Sequence, residues 1–159
     1  MENKPIKRNE HIKKLSKDHH SGLLFCWKIR QGLKHEVPTE RIKKYTGYFW
    51  RNHLAVHFRE EETILFSPLK DDLVQKALDD HKQIKHQFDK LLDGLAGDAK
   101  TELMNLANLI DDHIRYEERK LFSHLEKVLN EKQLEEIGKK LDAQPPPPAD
   151  DFEDSFWIQ

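Results

Sequence analysis

Cysteine is almost absent. The chain of 159 residues holds one, Cys26, so no internal disulfide can form and the composition suits a reducing cytoplasm. Long apolar runs are missing too. Hydrophobic residues make up 36%, the mean hydropathy is -0.86, and no stretch approaches the ~20 apolar residues of a membrane helix. The opening MENKPIKRNEHIKK has no apolar core behind its charges, which argues against a secretory signal. An excess of one charge is lacking: 27 Lys and Arg face 29 Asp and Glu, for a net charge of -2. That balance gives no general pull toward nucleic acid or an anionic membrane. Glycine is scarce at six residues, and no glycine-rich phosphate loop or serine-nucleophile elbow is found. No strand pattern competes with the helical one. These absences predict one cytoplasmic all-α domain with neither a nucleic-acid nor a membrane partner.

Histidine is abundant, with ten in the chain, and the abundance has an order. Residues 57–69 read HFREEETILFSPL and residues 113–125 read HIRYEERKLFSHL, matching at eight of thirteen positions. Each copy sets a His four residues before a Glu: His57 with Glu61, and His113 with Glu117. On a helix that spacing stacks both side chains on one face. Imidazole with carboxylate suits iron, manganese or zinc better than calcium or magnesium.

Apolar residues at three- and four-residue steps predict four long helices. The first runs from about Asn9 to Leu33, with Ile12, Leu15, His19, Leu23, Cys26, Ile29 and Leu33 inward. The second runs from an N-cap at Thr39 to about Phe66, with Ile42, Tyr45, Phe49, His53, Val56, His57 and Ile64 inward. The third is capped by Asp71 or Asp72 and carries Leu73, Ala77, His81, Ile84, Phe88, Leu91 and Leu92 inward. A turn at DGLAGD, residues 93–98, leads to the fourth, from about Ala99 to Leu129. Leu103, Leu106, Ile110, His113, Glu117, Leu121 and Leu125 form its inner face. Asn130 caps a short fifth helix. Short links make an up-down-up-down four-helix bundle, here with a short C-terminal fifth helix. The bundle is expected over residues 1–143. A proline spacer and an acidic-aromatic tail take residues 144–159.

In that topology His19, His57, His81 and His113 fall at a similar height, roughly 15 Å from one end at ~1.5 Å per residue. Glu61 and Glu117 lie one turn nearer that end. Burying these polar groups without partners is costly, and a pair of metal ions bridged by the two carboxylates removes the cost. The metal-site candidates are therefore His19, His57, Glu61, His81, His113 and Glu117.

At this point the chain resembles a hemerythrin-like, HHE-type cation-binding domain over roughly residues 9–128. The matching pieces are Asp18-His19, His57 with Glu61, Asp80-His81, and His113 with Glu117, with a Leu-Phe pair after each repeated motif. The resemblance implies two iron ions, oxo- or hydroxo-bridged, with zinc or manganese as alternatives. It also implies a protein that binds or senses oxygen, nitric oxide, peroxide or iron. Oxygen-carrying members place a second His four residues after the His of the third helix, where this chain has Lys85. They close the last motif with Asp at five residues' spacing, where this chain has Glu117 at four. These departures favour reactivity or sensing over reversible oxygen carriage. Two rival functions stay open: an enzyme acting on peroxide, nitric oxide or oxygen, and a module whose metal only fastens the fold.

The remaining polar residues are expected in plainer roles. His20 replaces His19 as ligand if the first helix is rotated. His53 packs or supports a ligand, and His11, His35, His86 and His124 lie at the surface. Glu62 and Glu118 pair with surface arginines such as Arg59 and Arg115. Cys26 is core. Lys4, Lys7, Lys13, Lys14 and Lys17 form a solvated face. Phe152, Phe156, Trp157 and Ile158 are expected to dock in a groove of this bundle or of a second copy, ahead of a disordered tail or a peptide recognised by another protein, and a homodimer is one outcome.

Overall fold

The computed structural model describes residues 7–94, 97–149 and 151–158. The expectations on residues 1–6 (Lys4 included), on Leu95 and Ala96 of the turn, and on Asp150 and Gln159 lie outside the described residues. The fold is the expected all-α bundle. Helix α1 is Lys13–Lys34. Helix α2 covers residues 39–65 without a break, joining Thr39–Phe49, a π turn at Trp50–Leu54, Ala55–Glu60 and a second π turn at Glu61–Leu65. Helix α3 is Asp72–Leu92. Helix α4 covers residues 99–128 with a π turn at Glu117–Leu121. Helix α5 is Glu131–Asp142. Both α1 and α3 lie against α2 and α4, and no described helix is long and apolar enough to cross a membrane.

The ends of these helices follow from local chemistry. The Asp71 side chain accepts from the Val74 amide and starts α3, while His124 contacts its other oxygen at 2.9 Å. Asn130 and Gln133 exchange side-chain and backbone bonds in a capping box that starts α5. Two boundaries differ from expectation. Helix α1 starts at Lys13 rather than Asn9, after a turn in which the Asn9 side chain binds the His11 amide. Thr39 is the first residue of α2 rather than its cap, because Pro38 fills the cap position with an extended backbone.

The π turns have a larger consequence. At the first, the Ala55 amide donates to the Trp50 carbonyl, five residues back. One extra residue enters the turn and the inner face advances. Before it, Ile42, Tyr45 and Phe49 point inward. After it Leu54, His57, Phe58, Glu60 and Glu61 are buried. His53 and Val56, expected inward, are half-buried at the side of α2. Leu92 likewise turns out to solvent, at 39% exposure.

The core has two parts. One gathers around Phe25, Ile29, Phe49, Phe88 and Ile110, and is joined by Phe156 from the tail. The other gathers around Ile12, Leu15, Leu65, Phe122 and Leu125, and is closed by Leu134, Ile137 and Leu141 of α5. Between them lies a buried polar layer of His19, His57, Glu61, His81, His113 and Glu117.

The tail docks on its own bundle. Phe156 is buried against Tyr45 at 5.6 Å between ring centroids. A Cβ added to Gly32 would stand 2.8 Å from the Phe156 ring, so only glycine admits the ring this close. Lys28 lies 4.0 Å over the Trp157 ring, and Arg41 makes a two-pronged contact with Asp154 at 2.6 and 2.9 Å.

Candidate metal centre

The two copies of the repeat start their π turns at the same residue. The Phe66 amide donates to the Glu61 carbonyl, and the Phe122 amide donates to the Glu117 carbonyl. π turns of this kind concentrate at functional sites. Each begins where a fully buried carboxylate reaches the bundle axis.

Around Glu61 and Glu117 the imidazoles close in. Glu61 Oε1 lies 3.1 Å from His81 Nε2. Its Oε2 lies 3.4 Å from His57 Nε2 and 3.9 Å from His19 Nε2. Glu61 thus faces one half of the site with each oxygen. Glu117 Oε1 lies 2.9 Å from His113 Nε2 and 3.2 Å from His19 Nε2. The layer divides into two groups, each with donor atoms within 4.8 Å of one another: His19, His57, Glu61, Glu117, and Glu61, His81, His113, Glu117. Either group could hold an ion, and the two share both glutamates. All six sequence candidates are brought together. His20 is exposed on the outside of α1 and takes no part.

His19 Nε2 and Glu117 Oε1 are hydrogen-bond partners of each other, but most other atoms facing the axis have none. His57 Nε2, both Glu61 oxygens, His81 Nε2, His113 Nε2 and Glu117 Oε2 are buried without a hydrogen-bond partner. Leaving such groups bare costs about 1–3 kcal/mol each. Two imidazole nitrogens with shared carboxylate oxygens form a mixed N/O donor set that suits iron, manganese or zinc. The residues present therefore fit a metal pair.

Every histidine is backed by a carboxylate on its other nitrogen. His57 Nδ1 lies 3.0 Å from Asp18, and His113 Nδ1 lies 3.0 Å from Asp80. His19 Nδ1 lies 2.7 Å from Glu118, and His81 Nδ1 lies 3.2 Å from Glu62. With Nδ1–H donated outward, Nε2 is left as the lone-pair atom facing the centre. The pattern obeys a pseudo-two-fold relating α1 and α2 to α3 and α4. The Asp before each single histidine backs the neighbouring repeat's histidine, and the Glu after each shared glutamate backs the single one. This corrects the expectation for Glu62 and Glu118, which pair with His81 and His19 rather than with Arg59 and Arg115. Glu118 also accepts from Ser16 and Arg8. Arg115 instead joins Asp111. The signal in the sequence was the Asp-His dipeptide at both 18–19 and 80–81, together with the doubled Glu in each repeat. Lys14 likewise leaves the solvated face to pair with Glu60 at 2.6 Å.

Burial opposes protonation of every imidazole here, and the carboxylates outweigh it. Glu117 and Asp80 raise the His113 pKa to about 10 despite burial. His57 is held well above its ordinary value by Glu61 and Asp18, and His19 and His81 are raised in the same way. Burial pushes Glu117 up, but His113 and His19 hold it well below the usual carboxylate range. Ring stacking fixes the planes, with Phe58 on His81 at 3.8 Å and Phe122 on His19 at 5.2 Å. His53 stacks on Phe49 at 5.2 Å, one turn from the cage. A third acidic group, His11 with Glu131 and Glu135, lies at the surface.

A hemerythrin-type bundle with two clusters sharing two carboxylates is consistent with a di-iron site that binds oxygen or another diatomic ligand. A curated relative, a DNA nickase from Nostoc sp. (strain PCC 7120 / SAG 25.82 / UTEX 2576), is 25% identical over 117 residues, or 70% of this chain and 33% of the relative. The chain thus spans about a third of that protein's length. No solved structure matches at a significant level. The model of the family described as "Hemerythrin HHE cation binding domain" matches residues 10–125. That match covers well over half of the sequence, and the chain belongs to the hemerythrin HHE cation-binding domain family.

Proposed function

We propose that this protein is a non-haem di-iron module that binds or senses oxygen, nitric oxide, peroxide or iron. His19 and His57 would hold one ion and His81 and His113 the other, with Glu61 and Glu117 available to both. The observation that carries this reading is the set of donor atoms without a hydrogen-bond partner on His57, Glu61, His81, His113 and Glu117 in a buried layer. Four protein donors per ion leave a metal of higher coordination number with open positions. An iron pair would supply those positions, and electrons, to a small oxidant. The chain's own residues do the rest: Asp18, Asp80, Glu62 and Glu118 orient the imidazoles, and the two apolar core clusters keep bulk water out.

An enzyme acting on peroxide, nitric oxide or oxygen is the second reading, and a cavity reaching His19 and His57 favours it. Residues 1–143 serve as the metal module and residues 144–159 as its own strap, in a cytoplasmic setting. A homodimer would exchange that tail between copies, which light scattering on the purified chain decides. Metal analysis with visible absorption, with and without air, tests the main reading. Two irons per chain and a charge-transfer band that responds to oxygen or nitric oxide are expected. A colourless, zinc-filled protein from iron-replete cells would sink it. Stoichiometric turnover favours sensing, and repeated turnover with an electron donor favours the enzyme.

A further inference from the structure

The cavity beside the cage is larger than the metal chemistry needs. It encloses about 430 Å³, whereas a water's share of liquid volume is about 30 Å³. Dioxygen, nitric oxide and hydrogen peroxide leave most of it unfilled. Sites for small organic molecules span roughly 300–1,000 Å³.

The two halves of the bundle differ in side chains that border the cavity. In one half, Phe58 stacks on His81, and Ile84 stands three residues after that histidine. In the other half Ile114 takes the place of Phe58, and Gly22 takes the place of Ile84. Ile114 packs directly onto Gly22, where an added Cβ would stand 2.6 Å from Ile114 Cδ1, and both border the cavity. Apolar residues of the lining include Gly22, Leu54, Val56, Phe58, Ile110 and Ile114, and the buried cage residues His19, His57, His113 and Glu117 border it too. Two of the charge pairs in the lining are matched, Asp18 with His57 and Lys14 with Glu60, and Arg59 borders the cavity as well. Across the mouth runs Pro145–Pro148. These prolines bring no N–H groups, so the roof adds apolar surface and little polarity. The strap is anchored at one end by Leu141 of α5 in the core and at the other by Phe156 against Tyr45.

We propose that this cavity binds a compact, uncharged, apolar organic molecule between Val56 and Ile114, roofed by Pro145–Pro148 and next to the His19–His57 pair. The site stands on shape and lining, whatever metal fills the cage. The test is calorimetric titration of 1-naphthol into the full-length chain, iron-loaded, zinc-loaded and metal-free, with naphthalene-1-sulfonate as the charged comparison. One molecule of 1-naphthol per chain is expected, with the sulfonate bound at least tenfold more weakly. Ile114→Phe restores the repeat's own large residue and fills the space. Val56→Trp fills it from α2. Each should weaken 1-naphthol at least tenfold while metal content and helical circular dichroism stay unchanged, and either one suffices if the other fails to fold. Phe156→Ala frees the strap and should speed dissociation. Absence of saturable binding, equal binding of the sulfonate, or wild-type affinity in both folded filling variants overturns the proposal. Because metal-free chain is titrated too, a failure here is separable from a failure of the di-iron reading.

Discussion

Removing Asp18 or Asp80 should damage one metal position and spare the other. Asp18 accepts from His57 and Asp80 from His113, both at 3.0 Å, and these histidines belong to different clusters. A hydrogen bond to a charged group contributes about 1.5–3 kcal/mol, and every 1.4 kcal/mol is tenfold in affinity. Loss of such a bond behind a metal-binding histidine therefore predicts weakening of roughly ten- to a hundredfold, in line with the usual cost of removing a ligand's supporting partner. The assay is anaerobic titration with ferrous or manganous ion against a competing chelator. Wild type should bind two ions. Asp18→Ala should keep one position near wild-type affinity and weaken the one at His19 and His57. Asp80→Ala should do the reverse, and the double variant should weaken both. Equal weakening of both positions by either single variant would refute the division of the site into two halves. Unchanged affinity in both would refute the orienting role of the carboxylates.

Other outcomes follow from the same geometry. His113 has its folded pKa raised to about 10 in the metal-free chain, against about 6.5 unfolded. Its contribution to metal-free stability is therefore complete below about pH 6.5 and is lost as the pH rises through 10. The melting temperature of the stripped protein should fall over that window. Metal binding, which needs neutral imidazole, should tighten with pH and release protons, countable by calorimetry in buffers of different ionisation enthalpy. Phe156→Ala should cost the docked tail roughly 3 kcal/mol, read as easier acrylamide quenching of Trp157, while Arg41→Ala should change it little because that ion pair is exposed. Gly32→Ala favours the helix by about 1 kcal/mol yet puts a Cβ 2.8 Å from the Phe156 ring. Limited proteolysis should therefore cut the tail faster, although α1 gains intrinsic helicity.

Much of this was legible in the sequence because it depends on local periodicity. His57 with Glu61 and His113 with Glu117 repeat on apolar stripes, and a bundle with short links must bring them level with His19 and His81. The π turn at Trp50–Leu54 was not legible, since one inserted residue looks the same as an unbroken helix in composition. Its effect was to move Leu54 and Phe58 inward and His53 and Val56 to the side. Glu62 and Glu118 were misread for a related reason. About 100° from a ligand looks like surface on an isolated helix, but in the bundle that direction points at the histidine of the next helix. That Phe156 docks on a bundle was expected from the aromatic tail, but its place beside Gly32 and Tyr45 is a contact across more than a hundred residues, which no local pattern encodes.

The claim at the centre is that two ions sit between Glu61 and Glu117, one on each pair of histidines. Anomalous diffraction at the iron edge, from crystals of iron-loaded protein, tests it most directly. The account predicts two peaks in the buried layer, one within bonding distance of His19 and His57 Nε2 and the other of His81 and His113 Nε2, both touching Glu61 and Glu117. A single peak, or iron bound only at the surface group of His11, Glu131 and Glu135, would contradict it.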